Sequence, residues 1–170
     1  MKKWKLAAIG LLVGLALVML VFAVDLLSAT RAARYRATLE QTVSTIVSLN
    51  EPFAMAFMTR QIPSLQEVAA AQSHLVAKEQ ELKALGQPPP ELAEVHTQLL
   101  EAVDLYEEAF DGLMDNLEAG LDPPFDVDFI AAASQAGERI HFATQALNLS
   151  LEADRCDGSG RFLPSCWLNQ

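Results

Sequence analysis

From residue 39 onward, apolar side chains recur in alternating steps of four and three: Leu39, Val43, Ile46, Phe53 and Phe57, with Asn50 in the same register. That spacing places them on one stripe of an α-helix, and no segment shows the two-residue alternation of a half-buried strand. Pro52 lacks an N–H and disfavours helical geometry at Glu51, so this helix is expected to kink or restart near residues 48–52. A second helix is predicted from Ser64-Leu65-Gln66-Glu67, where the serine can bond the third amide and the glutamate can reach back. It carries Val68, Ala71, Leu75, Leu82 and Leu85, and Gly86 followed by Pro88, Pro89 and Pro90 ends it. A third helix presents Leu92, His96, Leu99, Val103, Tyr106, Phe110, Leu113 and Leu117, then stops at Gly120. The last opens at Asp126 or Asp128 and repeats Ile130, Ala133, Gly137, Ile140, Thr144, Leu147 and Leu151. Short connections make such helices antiparallel neighbours, so the expected fold is all-α, an up-down bundle of three to four helices.

Ahead of the bundle stands a longer apolar run, residues 6–24, LAAIGLLVGLALVMLVFAV, which follows Lys2, Lys3 and Lys5 and contains no charge. At the helical rise it would be roughly 28 Å long, close to the hydrocarbon thickness of a bilayer. The run predicts one transmembrane signal-anchor helix over residues 6–25. A basic tail over 1–5 precedes it, the bundle occupies 26–154 and a C-terminal tail covers 155–170. The rival reading is a cleaved signal peptide ending at Val21-Phe22-Ala23, although its apolar region would be longer than the usual span. Lys2, Lys3 and Lys5 on one flank are matched by Arg31, Arg34 and Arg36 on the other, so the positive-inside count ties. Asp25 and the amino terminus tip it towards an extracytoplasmic bundle. So do Cys156 and Cys166, whose spacing suits one small disulfide loop and no usual zinc pattern. The expected location is therefore the cell membrane, single-pass, with the lipid bilayer as partner of residues 6–24 and the bundle in the periplasm or outside the cell. Gly10 and Gly14 form a GxxxG spacing that would let two membrane helices pack closely, which leaves a homo-oligomer open.

Counting residues from turns centred near 62, 88 and 124 brings the proline turn level with Arg36, and the end of the last helix to the same end of the bundle. The disulfide loop, with Phe162, Leu163, Trp167 and Leu168, would then cap that end or bring Trp167 to a headgroup layer.

Charge changes this picture most in one stretch: residues 84–138 hold thirteen Asp and Glu and no Lys or Arg, in a chain of net charge -10. Along the third helix Glu101, Asp104, Glu108, Asp111 and Asp115 recur every three or four residues, an acidic stripe beside the apolar one. Like charges at this spacing repel by about 0.2–0.5 kcal/mol per pair. The stripe reads either as a solvated face or as a docking surface for a basic protein or for divalent cations. Nucleic acid is excluded there, because its phosphates would be repelled.

Candidate chemistry is sparse. Asp122, Asp126 and Asp128 lack the central glycine and closing glutamate of a calcium loop, and helix capping accounts for them better. His74, His96 and His141 fall at different levels of the bundle, so a three-histidine metal site is not expected. His141 and Met55 do come out level, and a His–Met pair can hold haem in a helical bundle, yet Met55 sits in a run of core-filling residues. There is no HExxH, no phosphate-binding glycine loop, no CxxC and no GxSxG. No enzyme activity, metal or cofactor is expected. The order of basic tail, apolar helix and helical bundle is similar to the sensory half of bacterial chemoreceptors. It departs from them in lacking a second membrane segment and a signalling part, and no residues carry across. The expected function is non-enzymatic binding or scaffolding, probing another envelope protein with the acidic helix or with an apolar groove around Phe53 and Phe57. Ligand or haem binding inside the bundle is the alternative.

Overall fold

The computed structural model describes residues 2–149, without the side chains of residues 2–18, 21, 22, 24, 25 and 27. Four α-helices account for most of it: α1 Lys2–Thr59, α2 Leu65–Ala84, α3 Ala93–Glu118 and α4 Val127–Ala146, with a 3-10 turn at Pro90–Leu92. There is no strand among the described residues. The chain divides into two units, Met1–Tyr35 and Arg36–Gln170.

The first unit is helical backbone, and of its described side chains Met19, Leu20 and Leu26 are exposed. It corrects two expectations, the transmembrane helix over residues 6–25 and the single-pass membrane location that rested on it. Among the described residues no helix is long and apolar enough to cross a membrane. Residues 6–24 do not form a helix of their own but belong to α1, 58 residues long, whose continuation is charged and amphipathic. Gly10 and Gly14 lie within α1, and what packs on them falls outside the described side chains. Cys156, Cys166 and Trp167 also lie outside the described residues, as does the expected disulfide loop.

In the second unit the rest of α1 meets α3 through Phe53 and Phe110, borders α2 along a groove and reaches the end of α4 through Arg36. Leu39, Val43 and Ile46 of α1 are completely buried and Phe53 nearly so, which is the stripe expected from the three-four spacing. Thr42 is buried among them and satisfies its hydroxyl by donating to the Thr38 carbonyl at 2.9 Å. Of the kink or restart expected near residues 48–52, the restart does not occur: α1 continues through Pro52 to Thr59.

α3 is the central helix, packed most extensively on α4 and next on α2. The buried face of α4 explains the closeness of the first pair. It is built largely of Ala132, Ala133, Ala136, Gly137 and Ala143, small residues that let two helix axes approach, with Phe129 at its start and Ile140 between Gly137 and Ala143. Aromatic rings fill the core near the α1–α2 and α3–α4 turns. Phe110 meets Phe53 edge-on at 4.6 Å between centroids and Phe129 at 6.4 Å, while Phe57 stands perpendicular to Phe125 at 5.6 Å. Such pairs contribute about 0.5–1.5 kcal/mol beyond their buried area.

The helix ends follow local rules. Ser64 and Glu67 form the expected reciprocal capping box, and Asp126 caps α4 by accepting from the Phe129 amide at 2.8 Å. Gly86 and Gly120 adopt φ of +72° and +70°, the left-handed geometry that closes α2 and α3. At the C-terminus of α4, Arg36 donates from Nη2 to the Leu147 carbonyl at 2.5 Å, satisfying an orphan acceptor and complementing the helix dipole. Arg36 and the end of α4 therefore share one end of the bundle.

Candidate functional site

Two features of the second unit have the chemistry to bind something: the acidic surface of α3 and a groove between α1 and α2. The acidic stripe is divided by its neighbours. Glu101 turns towards α4, where its Oε2 lies 3.0 Å from Arg139 Nε, without the angle a hydrogen bond requires. Arg139 donates instead from Nη1 to Gln98 at 3.1 Å. Asp111 turns towards α2 and accepts from Gln72. Asp104 also faces α2, where Glu79 and Lys83 stand nearby. Glu108 and Asp115 are exposed, with no ion pair among the described residues.

Two α2–α3 pairs, Gln72 with Asp111 and Glu79 with Asp104, have their midpoint between residues 91 and 92. The helices are thus level about a point beyond the expected residue 88. The extended prolines and the 3-10 turn Pro90–Leu92 are spent before α3 begins, and this displaces the register.

That register assembles a group the sequence did not reveal. Glu79 of α2 faces Asp104 and Glu107 of α3, Lys83 is the cation set against them, and Asp111 adds its charge beside Glu107. Burial and then repulsion from Glu79 raise the pKa of Glu107, with further contributions from Asp104 and Asp111. Asp104 is raised by burial and then by Glu79. Glu107 Oε1 is enclosed at the seam without a hydrogen-bond partner. Only the pairing of α2 with α3 singles Glu107 out, because its spacing on α3 alone places it beside the stripe. Lys83 also pairs with Glu79 along its own helix.

Between α1 and α2 lies a groove of about 470 Å³. Phe53, Ala56 and Ala71 form its floor, buried to within a few per cent, while Ile62 and Ala70 stand exposed at its edges. A second hollow of about 490 Å³ lies between the two turns, where Phe57 and Met58 face Asp122 and Phe125. Of the apolar groove expected around Phe53 and Phe57, Phe53 lines the first hollow and Phe57 the second, and the two adjoin at Gln61 and Ile62.

Comparison with known protein families, characterised proteins and solved structures finds no match.

The remaining candidates are placed as follows. Among the described residues no group of three or more His, Cys, Asp or Glu could hold a metal ion. Asp126 is committed to capping: the Phe129 amide and Asn116 both donate to it, and these bonds hold its pKa below the usual carboxylate range. His96 is nearly buried on α3, and burial lowers its pKa, so it is neutral at pH 7. Met55 is 42% exposed on α1, away from the core position that a haem ligand would need. His141 bonds through Nε2 to Gln145 at 2.8 Å on the surface of α4.

Proposed function

We propose that this protein is a non-enzymatic helical-bundle binding protein that engages a basic protein partner through the acidic surface of α3. The observation that supports the reading is the crowding of Glu79, Asp104, Glu107 and Asp111 at the α2–α3 seam, with Glu108 and Asp115 exposed beside them. Like charges held together by a fold work against its stability. A cationic partner laid on this surface offsets the repulsion, whereas salt only screens it. Complementary charge of this kind contributes more to encounter rate and choice of partner than to tightness.

A lysine-rich helical peptide is a suitable probe. Its binding should weaken steeply as salt is raised, and the triple variant Asp104→Lys, Glu108→Lys, Asp111→Lys should reduce affinity roughly tenfold or more. Reversing Glu51, Glu91 and Asp122 makes the same change in net charge elsewhere and should have a much smaller effect. Equal weakening by both triples would show that the peptide senses overall charge alone, and would overturn the assignment of the face.

A further inference from the structure

The groove between α1 and α2 is lined by residues other than those of the acidic surface. Its walls are apolar: Phe53 and Ala71 beneath, Ile62 and Ala70 at the rim. At about 470 Å³ it falls within the range of sites that hold small organic molecules. Its polar side chains are Ser48, Gln61, Glu67 and His74, and Glu67 supplies the one carboxylate among them.

A first acceptor comes from the backbone. Pro52 lies inside α1 and has no N–H, so the carbonyl of Ser48 lacks the donor that closes each ordinary turn of a helix. Ser48 and Pro52 both line the groove. The Ser48 hydroxyl does not compensate, since it donates to the Thr45 carbonyl at 2.8 Å.

The second acceptor is Glu67. The Ser64 amide and hydroxyl both donate to its Oε2, at 2.8 and 2.7 Å, which leaves Oε1 outside the capping box. The same two hydrogen bonds lower its pKa, so the carboxylate is charged at neutral pH. No Lys or Arg lines the groove. A cleft with an aromatic floor, a carbonyl lacking its helical donor and a fixed carboxylate complements one kind of molecule best: an apolar body bearing a protonated amine.

We infer that the α1–α2 groove binds a small hydrophobic amine, whose ring or chain lies on Phe53 and whose ammonium group donates to Glu67 and to the Ser48 carbonyl.

Three indole compounds separate the contributions of shape and charge: tryptamine, indole and indole-3-acetate, titrated calorimetrically into the full chain. Tryptamine should bind roughly tenfold or more tighter than indole-3-acetate, with indole between them. Glu67→Gln keeps a capping-box residue at that position and should bring the three affinities to within about twofold of each other. Ala70→Phe fills the groove from its exposed rim without touching the core, and should abolish binding of all three. Pro52→Ala returns an N–H to the Ser48 carbonyl and should weaken tryptamine several-fold while leaving helix content intact. Equal binding of the amine and the acid, unchanged binding in Ala70→Phe, or no saturable binding of tryptamine would each overturn the assignment. None of these outcomes bears on the lysine-rich peptide, so the two proposals stand or fall separately.

Discussion

Glu107 and Asp104 hold their protons to higher pH than ordinary carboxylates because burial and the neighbouring acids disfavour their charge. Their folded pKa values lie above the unfolded ones, so the folded state binds protons first. The stability gained in this way is fully present below the unfolded carboxylate range and is lost as pH rises through the raised values. Glu67 and Asp126 act in the opposite sense. Their lowered values give stability that is present above the unfolded range and is lost as pH falls through the folded ones. The melting temperature should therefore peak on the acid side of neutrality, roughly between pH 4 and pH 7. Glu107→Gln should raise it by about 1–3 °C at pH 7, a few tenths of a kcal/mol after allowance for solvent screening, and should flatten its decline above the peak. Thermal melts of both proteins from pH 4 to pH 8 would read this directly. A decrease at pH 7 would mean that Glu107 has a favourable partner at the seam.

At the scale of elements, α1 holds the clearest conflict between local preference and packing. A proline in a helix interior costs about 3 kcal/mol relative to alanine, yet α1 passes through Pro52 without ending. Its buried stripe of Leu39, Val43, Ile46 and Phe53 spans both sides of the proline, and this shared burial carries the helix across. Pro52 itself is exposed, so Pro52→Ala should raise stability by about 1–3 kcal/mol in denaturant unfolding, with the slope unchanged. Much at this scale was legible in the residues. The capping box at Ser64, the left-handed glycines 86 and 120 and the Asp126 cap are short-range devices, determined by neighbours within a few positions. The buried stripes followed from helical periodicity. The α2–α3 register did not follow, because the length consumed by Pro88, Pro89 and Pro90 depends on their backbone geometry. The meeting of Glu79 with Glu107 depends on that register in turn. The groove was foreseen only as an apolar region around Phe53 and Phe57, since the Ser48 carbonyl matters only once α1 is known to continue through Pro52. The apolar run of residues 6–24 was read as a membrane anchor from its composition and length, yet among the described residues no helix is long and apolar enough to cross a membrane.

For the molecule as a whole, charge and packing are segregated. Thirteen acids and no Lys or Arg fall within residues 84–138, the stretch that also supplies the central helix α3 and the first part of α4. The core is held by non-directional burial around Phe110, which tolerates a charged exterior because hydrophobic contacts do not sense it. The hydrogen bond from Arg36 to the Leu147 carbonyl has a topological consequence. It brings the first residue of the second unit beside the end of its last helix, so the path of the chain through the four helices nearly closes into a ring. A circular permutant joining residue 148 to residue 36 by a short glycine-serine linker, and opened at the exposed Gln87, should keep the helical circular dichroism of the parent and melt cooperatively. In such a ring the order of the helices along the polypeptide becomes interchangeable, and what persists is their cyclic sequence around the core.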